Sequence, residues 1–282
     1  MIKQLLNTKP VKLGFLIKED FVKTDFSGIC SQMSFYLLMA FFPLLIFLIS
    51  FVGKFVKQFQ TYLFEILKAF LPNLSYDYVT NLLTSLSSQI SDANYLLLLI
   101  TFFFATLAAR AIMTGLNQTF GRKETRSHLK IWLLSFLFTI LFGLAILLIA
   151  IAYIFSADLG KFIFQISGIS LDYYPSWRLL ALLISWVFST LFFNMVYMMA
   201  PAKSLKFLEG LPGAVFATLG LNVAFRIFTW FINNSDKYST LYGNLGGLFA
   251  LLVGIYFICV ILNLGGKINL YWSIYKCNLT LQ

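Results

Sequence analysis

Six stretches of this sequence run for about 20 residues or more with hardly a charge, and little else can be built from them. They cover about 30–52, 95–117, 131–155, 178–199, 211–232 and 245–272. Each is long enough to cross a hydrocarbon core of ~30 Å as a helix. Lipid offers no hydrogen-bond partners, so a spanning segment must satisfy its own backbone, which an α-helix does. The runs are continuous, unlike the short alternating segments of a membrane barrel. With 60% hydrophobic and 11% charged residues, the chain could not hide its apolar side chains inside one soluble core. The reading is an all-α, polytopic membrane protein of six transmembrane helices.

The net charge of +10 has three possible meanings: a nucleic-acid partner, an anionic-lipid preference or a topology signal. Twelve of the 21 basic residues fall in the N-terminal arm, the second and fourth connections and the tail. Five fall in the other connections, and Arg110, Arg178, Arg226 and Lys267 lie within or at the edges of runs. Basic residues concentrate on the cytoplasmic side, so both termini are expected there. This accounts for most of the excess without a nucleic-acid surface. The first 29 residues carry Glu19, Asp20 and Asp25 and no uninterrupted apolar core of a cleavable signal.

Two segments read as amphipathic helices lying on the bundle. In the insert at 55–91, Leu63 and Leu67 recur at helical spacing, Leu71-Pro72-Asn73 breaks the pattern, and Val79 and Leu83 resume it opposite Asn81 and Ser85. Such helices either close the bundle as packing lids or admit a lipid-like substrate sideways. Phe15–Phe26 has the same character within the arm at 1–29, and 273–282 is expected as a cytoplasmic tail.

No Asp or Glu lies in any of the six runs. Ion-coupled transport commonly relies on an intramembrane carboxylate, so its absence argues against that mechanism. His128 is the single histidine, expected in a solvated connection, and Cys30, Cys259 and Cys277 lack metal-ligand spacing. No metal, no cofactor and no enzymatic chemistry are expected. The cations remain. Arg110, followed seven residues later by Asn117, and Arg226, one turn from Asn222, either snorkel to head groups or line a groove that binds phosphate through the planar guanidinium fork. Pro43 interrupts the first run, while Pro201 and Pro212 bracket the fourth connection, with Pro212-Gly213 reading as a turn at the start of the fifth helix. Gly246, Ala250 and Gly254 repeat every four residues, a spacing that lets helices approach closely within one chain or between copies.

Ser34-Phe35-Tyr36, Phe42-Pro43-Leu44-Leu45, Arg110-Ala111, Leu116-Asn117, Phe120, Tyr197, Pro201, Pro212-Gly213-Ala214 and Tyr242-Gly243 occur in one order over residues 15–272. Together they resemble the YihY/BrkB-type envelope protein family, to which an older label, ribonuclease BN, is also attached. The resemblance implies six spans in a bacterial plasma (inner) membrane, a role in envelope integrity, and movement of lipids or lipid-linked envelope precursors. The sequence departs from that pattern at Gly265-Gly266-Lys267, where the family tends to have Gly-Ala-Glu, and at Gly254, where a Trp is frequent. The leading expectation is binding or translocation of an anionic lipid by Arg110, Asn117 and Arg226. A non-transporting scaffold for envelope proteins is the alternative, and a membrane-bound ribonuclease comes third, since the cytoplasmic connections offer few metal ligands.

Overall fold

A computed structural model of the chain describes residues 25–52, 59–89, 95–122, 124–154, 174–234 and 246–280. The expected in-plane helix at 15–26 lies almost wholly outside the described residues, as does Tyr242-Gly243. The described residues are all-helical: α1 (Phe26–Val52), α2 (Phe59–Phe70), α3 (Asn73–Gln89), α4 (Tyr95–Thr119), α5 (His128–Ile154), α6 (Tyr174–Met199), α7 (Phe207–Asn233) and α8 (Gly246–Thr280). Among them, Phe26–Ile46, Phe207–Ile232 and Gly246–Ile274 are long and apolar enough to cross a membrane, and His128–Leu141 and Leu183–Met199 are shorter apolar stretches.

Local chemistry sets the helix starts. The Asp25 carboxylate accepts from the Gly28 N–H at 3.3 Å and caps α1. Ser127 caps α5, its carbonyl accepting from the Ile131 N–H at 3.0 Å. His128 therefore opens a helix instead of sitting in a loop, although it remains exposed. At α7 the Glu209 carboxylate accepts from the Lys206 N–H at 3.0 Å, so the helix begins ahead of its apolar run. Pro212 consequently lies in the second turn of α7, inside the helix, and Gly213 is no turn residue. Pro43 is likewise carried within α1.

The long helix α8 is the hub, packed against α7, α1, α3 and α4, while α1 pairs most extensively with α4. One buried cluster joins Met33 of α1, Leu116 of α4, Tyr197 of α6, Ala214 of α7 and Cys259 of α8. The insert helices α2 and α3 belong to it: Leu63, Leu67, Val79 and Leu83 are buried there, while Asn81 and Ser85 are exposed. The Ser75 hydroxyl donates to the Gly247 carbonyl at 3.0 Å, pinning α3 to the start of α8. That is the arrangement of a packed lid. Outward faces carry half-exposed Phe35, Phe103, Phe136, Phe188, Ile227 and Trp230, a surface that water would penalise and hydrocarbon would not.

Candidate functional site

A cavity of about 320 Å³ opens between α1 and α4. Gln32, Met33 and Tyr36 line it from α1, and Leu107, Arg110, Ala111, Thr114 and Gly115 from α4. The antiparallel pair can come this close because Gly115 has no side chain: a Cβ there would overlap the Met33 sulfur. Gln32 and Tyr36 are four residues apart, as are Arg110 and Thr114, so each pair lies one turn apart on one helix face. Arg110 is half-buried nine residues before the end of α4, about 13 Å inside it by helix rise. Its guanidinium lies 5.4 Å from the centre of the Trp132 ring of α5, which stacks on Phe103 at 5.7 Å. Among the described residues, no carboxylate pairs with it. Among its described residues the groove thus presents one cation, set against an aromatic ring, beside neutral hydrogen-bonding groups.

Asn117 and Arg226 are not in this groove. Asn117 is buried at the far end of α4, where its amide is committed. Its Nδ2 donates to Glu124 Oε2 at 2.6 Å, and its Oδ1 accepts from the Ala202 N–H at 2.6 Å. The Arg126 guanidinium clasps the same carboxylate, Nε to Oε1 at 2.7 Å and Nη2 to Oε2 at 2.7 Å, and donates to the Ala200 carbonyl at 3.0 Å. Arg122 donates to the Lys203 carbonyl. These bonds form a latch between the α4–α5 and α6–α7 connections, beside the buried Pro201. The hydrogen bonds from Arg126 hold the Glu124 carboxyl below its usual range, and burial lowers the Arg122 guanidinium against the opposing pull of Glu209. Arg226 is exposed on the C-terminal half of α7, a helix that does not line the groove.

A second polar centre lies where α6, α7 and α8 meet; the sequence marks Asn263, Lys267 and Asn269 as polar groups within the last run, but not their partners. The Tyr197 hydroxyl donates to the Leu262 carbonyl at 2.8 Å, and Asn269 Oδ1 accepts from the Gly213 N–H at 2.6 Å. A Cβ on Gly213 would overlap the Gly265 carbonyl, and one on Gly265 would lie 3.0 Å from Tyr197 Cζ. Nearby, Asn263 links three helices. It accepts from the Thr119 hydroxyl at 2.5 Å and contacts the Met33 sulfur at 3.0 Å. The adjoining Gly265-Gly266 pair was the available signal. Lys267 is buried and engaged by a neighbouring group. Of the small-residue stripe, Gly246 opens α8 and Ala250 is buried with Phe228 and Ile232. Gly254 packs against Phe228, whose ring would lie 3.4 Å from a Cβ there.

Asn194 of α6 is wholly buried, with neither amide atom hydrogen-bonded to a described residue. An orphaned buried polar group costs about 1–3 kcal/mol, so Asn194→Leu is expected to raise the melting temperature in detergent by a few degrees. A fall on melting would contradict this.

Long apolar helices around a sparsely charged polar interior define a helical membrane protein. The family model described as virulence factor BrkB matches residues 17–276. The chain belongs to that family. It is similar to the ribonuclease-like protein YfkH of Bacillus subtilis (strain 168), 24% identical over 240 residues that cover 85% of this chain and 87% of the relative. It is also similar to a UPF0761 membrane protein of Glaesserella parasuis serovar 5 (strain SH0165), 25% identical over 166 residues, 58% of this chain and 56% of that one. No solved structure matches the chain.

Proposed function

We propose that this BrkB-family protein is a six-span, multi-pass protein of the bacterial plasma membrane, with both termini in the cytoplasm, that binds or translocates an anionic lipid in support of envelope integrity. The observation that carries the reading is Arg110: a half-buried cation in a groove, held over Trp132, with no carboxylate partner among the described residues. An anion supplied by the membrane would complete the pairing that such a cation needs. The helices α1, α4, α5, α6, α7 and α8 have 27, 25, 27, 26, 27 and 35 residues, each sufficient in length for a crossing. The distribution of basic residues supports the orientation. Arg226, exposed on the outer half of α7, is a second candidate contact for a lipid phosphate, separate from the groove.

The relative's ribonuclease-like name raises the enzyme reading. Among the described residues, no group of three His, Cys, Asp or Glu side chains comes together to hold a metal ion. Membership of the BrkB family and the likeness to a UPF0761 membrane protein favour a non-enzymatic role. A scaffold for envelope proteins, or for a second copy of this chain, would use the same exposed apolar faces without needing the groove.

Arg110→Gln is expected to reduce co-purifying anionic lipid about tenfold, the factor expected from losing a charge-assisted hydrogen bond, and Arg226→Gln to reduce it less. Lipid analysis of the purified proteins provides the check. Equal anionic-lipid retention in wild type and both variants would sink the reading.

A further inference from the structure

We infer that the α1–α4 groove selects the singly charged phosphodiester of a glycerophospholipid over the multiply charged diphosphate of a lipid-linked precursor. This rests on the lipid-binding reading above and narrows it to one headgroup chemistry.

Charge is the first ground. Arg110 is the single cation among the described residues that line the groove; Gln32, Tyr36 and Thr114 are neutral. One guanidinium balances the one negative charge of a phosphodiester, and its planar fork can donate two parallel hydrogen bonds to the phosphate oxygens. A diphosphate would bring at least one further negative charge, which no second cation among the described lining residues would meet. Unpaired charge at the edge of a low-dielectric region is strongly disfavoured. A zwitterionic headgroup has the opposite fault, because its ammonium would find no carboxylate among the described residues of the groove wall.

Placement is the second ground. Contact with Trp132 on one side biases the orientation of the guanidinium before a ligand arrives. The Gln32 amide and the Tyr36 and Thr114 hydroxyls offer neutral donors and acceptors of the kind that hydroxyls on a glycerol headgroup would use. The third ground is size and surroundings. A volume of about 320 Å³ is at the small end of ligand pockets, which run from ~300 to 1,000 Å³, and suits a headgroup whose chains lie outside. Phe35, Met39 and Phe103, on the two helices that form the groove, are 58%, 49% and 49% exposed and offer apolar surface for those chains.

The test is native mass spectrometry of the full chain in detergent, with phosphatidylglycerol, phosphatidylcholine and a polyprenyl diphosphate at equal concentration. Wild type is expected to retain phosphatidylglycerol roughly tenfold over either competitor. Arg110→Gln should abolish that preference, Arg110→Lys should keep part of it, and Thr114→Val should weaken it without lowering the melting temperature. Arg110-dependent retention of the polyprenyl diphosphate instead would overturn the phosphodiester assignment while leaving the lipid reading intact. Retention of phosphatidylglycerol that ignores all three substitutions would overturn the groove as the site. Displacement of the lipid by an equal concentration of water-soluble glycerophosphoglycerol would show that the acyl chains contribute nothing, and would overturn a lipid as the ligand.

Discussion

Gly213→Val is expected to lower the melting temperature of the detergent-solubilised protein by roughly 10 °C and to broaden its elution in size exclusion. The cause is local. A side chain at Gly213 would occupy the place of the Gly265 carbonyl oxygen and crowd the Asn269 amide. Two helix backbones cross there, so relief requires α7 and α8 to separate, which a flexible side chain could not supply by rotating away. Overpacking costs about 1–3 kcal/mol, and losing the buried bond from the Gly213 N–H to Asn269 adds about 1–3 kcal/mol. In a membrane this matters more than a loss of apolar burial, because helix association there depends on close packing and hydrogen bonds. Gly143→Ala is the control: nothing lies within 4 Å of a Cβ at Gly143, inside α5, so its melting temperature should not fall. If Gly213→Val melts with the wild type, the three-helix junction is not where the structure has it.

The second large effect is expected at Glu124. This carboxylate receives Arg126 through both oxygens and Asn117 through one, and through them binds the α4–α5 connection to Ala200 and Ala202. Glu124→Gln keeps the shape but removes the charge and most of the acceptor capacity. The Arg126 side chain, only 8% exposed, would lose its counter-charge. Bonds to charged groups contribute about 1.5–3 kcal/mol each, with the lower end fitting a partner as exposed as Glu124. The substitution should therefore lower the melting temperature at neutral pH by several degrees and open the 122–127 segment to proteolysis. The pH dependence has a definite sign. Because the folded protein holds Glu124 below its ordinary value of 4.5, the stabilisation is full above about pH 4.5 and is lost as pH falls through the lower, folded value. The gap between wild type and Glu124→Gln should stay constant from pH 8 to about pH 5 and close in stronger acid. A gap that persists unchanged in acid would place the effect elsewhere.

These two centres also show what the sequence could and could not convey. Helical character is written locally, in long apolar runs and in the spacing of Leu63, Leu67, Val79 and Leu83, because burial of one face follows a 3.6-residue period. The suspicion about Arg110 was legible too, since an isolated cation in an apolar run demands an explanation. Its partners were not. Trp132 lies 22 positions away on another helix, and spacing within α4 alone made Asn117 the apparent companion. Seven residues return a side chain to nearly the same face, but a helix face turns from a groove to a connection as it leaves the bundle. Asn117 met Ala202 and Glu124 there instead. Gly213 misled for a similar reason: proline before glycine reads as a turn, yet Glu209 starts α7 early enough to carry both inside the helix. Close backbone crossings such as Gly213 with Gly265 arise from two distant helices and leave no local period. Only the unusual Gly265-Gly266 pair hinted at one.

The most direct test of the central claim is photo-crosslinking from the groove itself. A benzophenone side chain at Thr114, exposed on the groove wall, would be activated in intact cells and the adducts identified by mass spectrometry. An adduct with the mass of an anionic glycerophospholipid, abolished by Arg110→Gln, is the predicted result. A stoichiometric protein adduct in its place, insensitive to Arg110→Gln, would contradict the account and make the groove part of a scaffold.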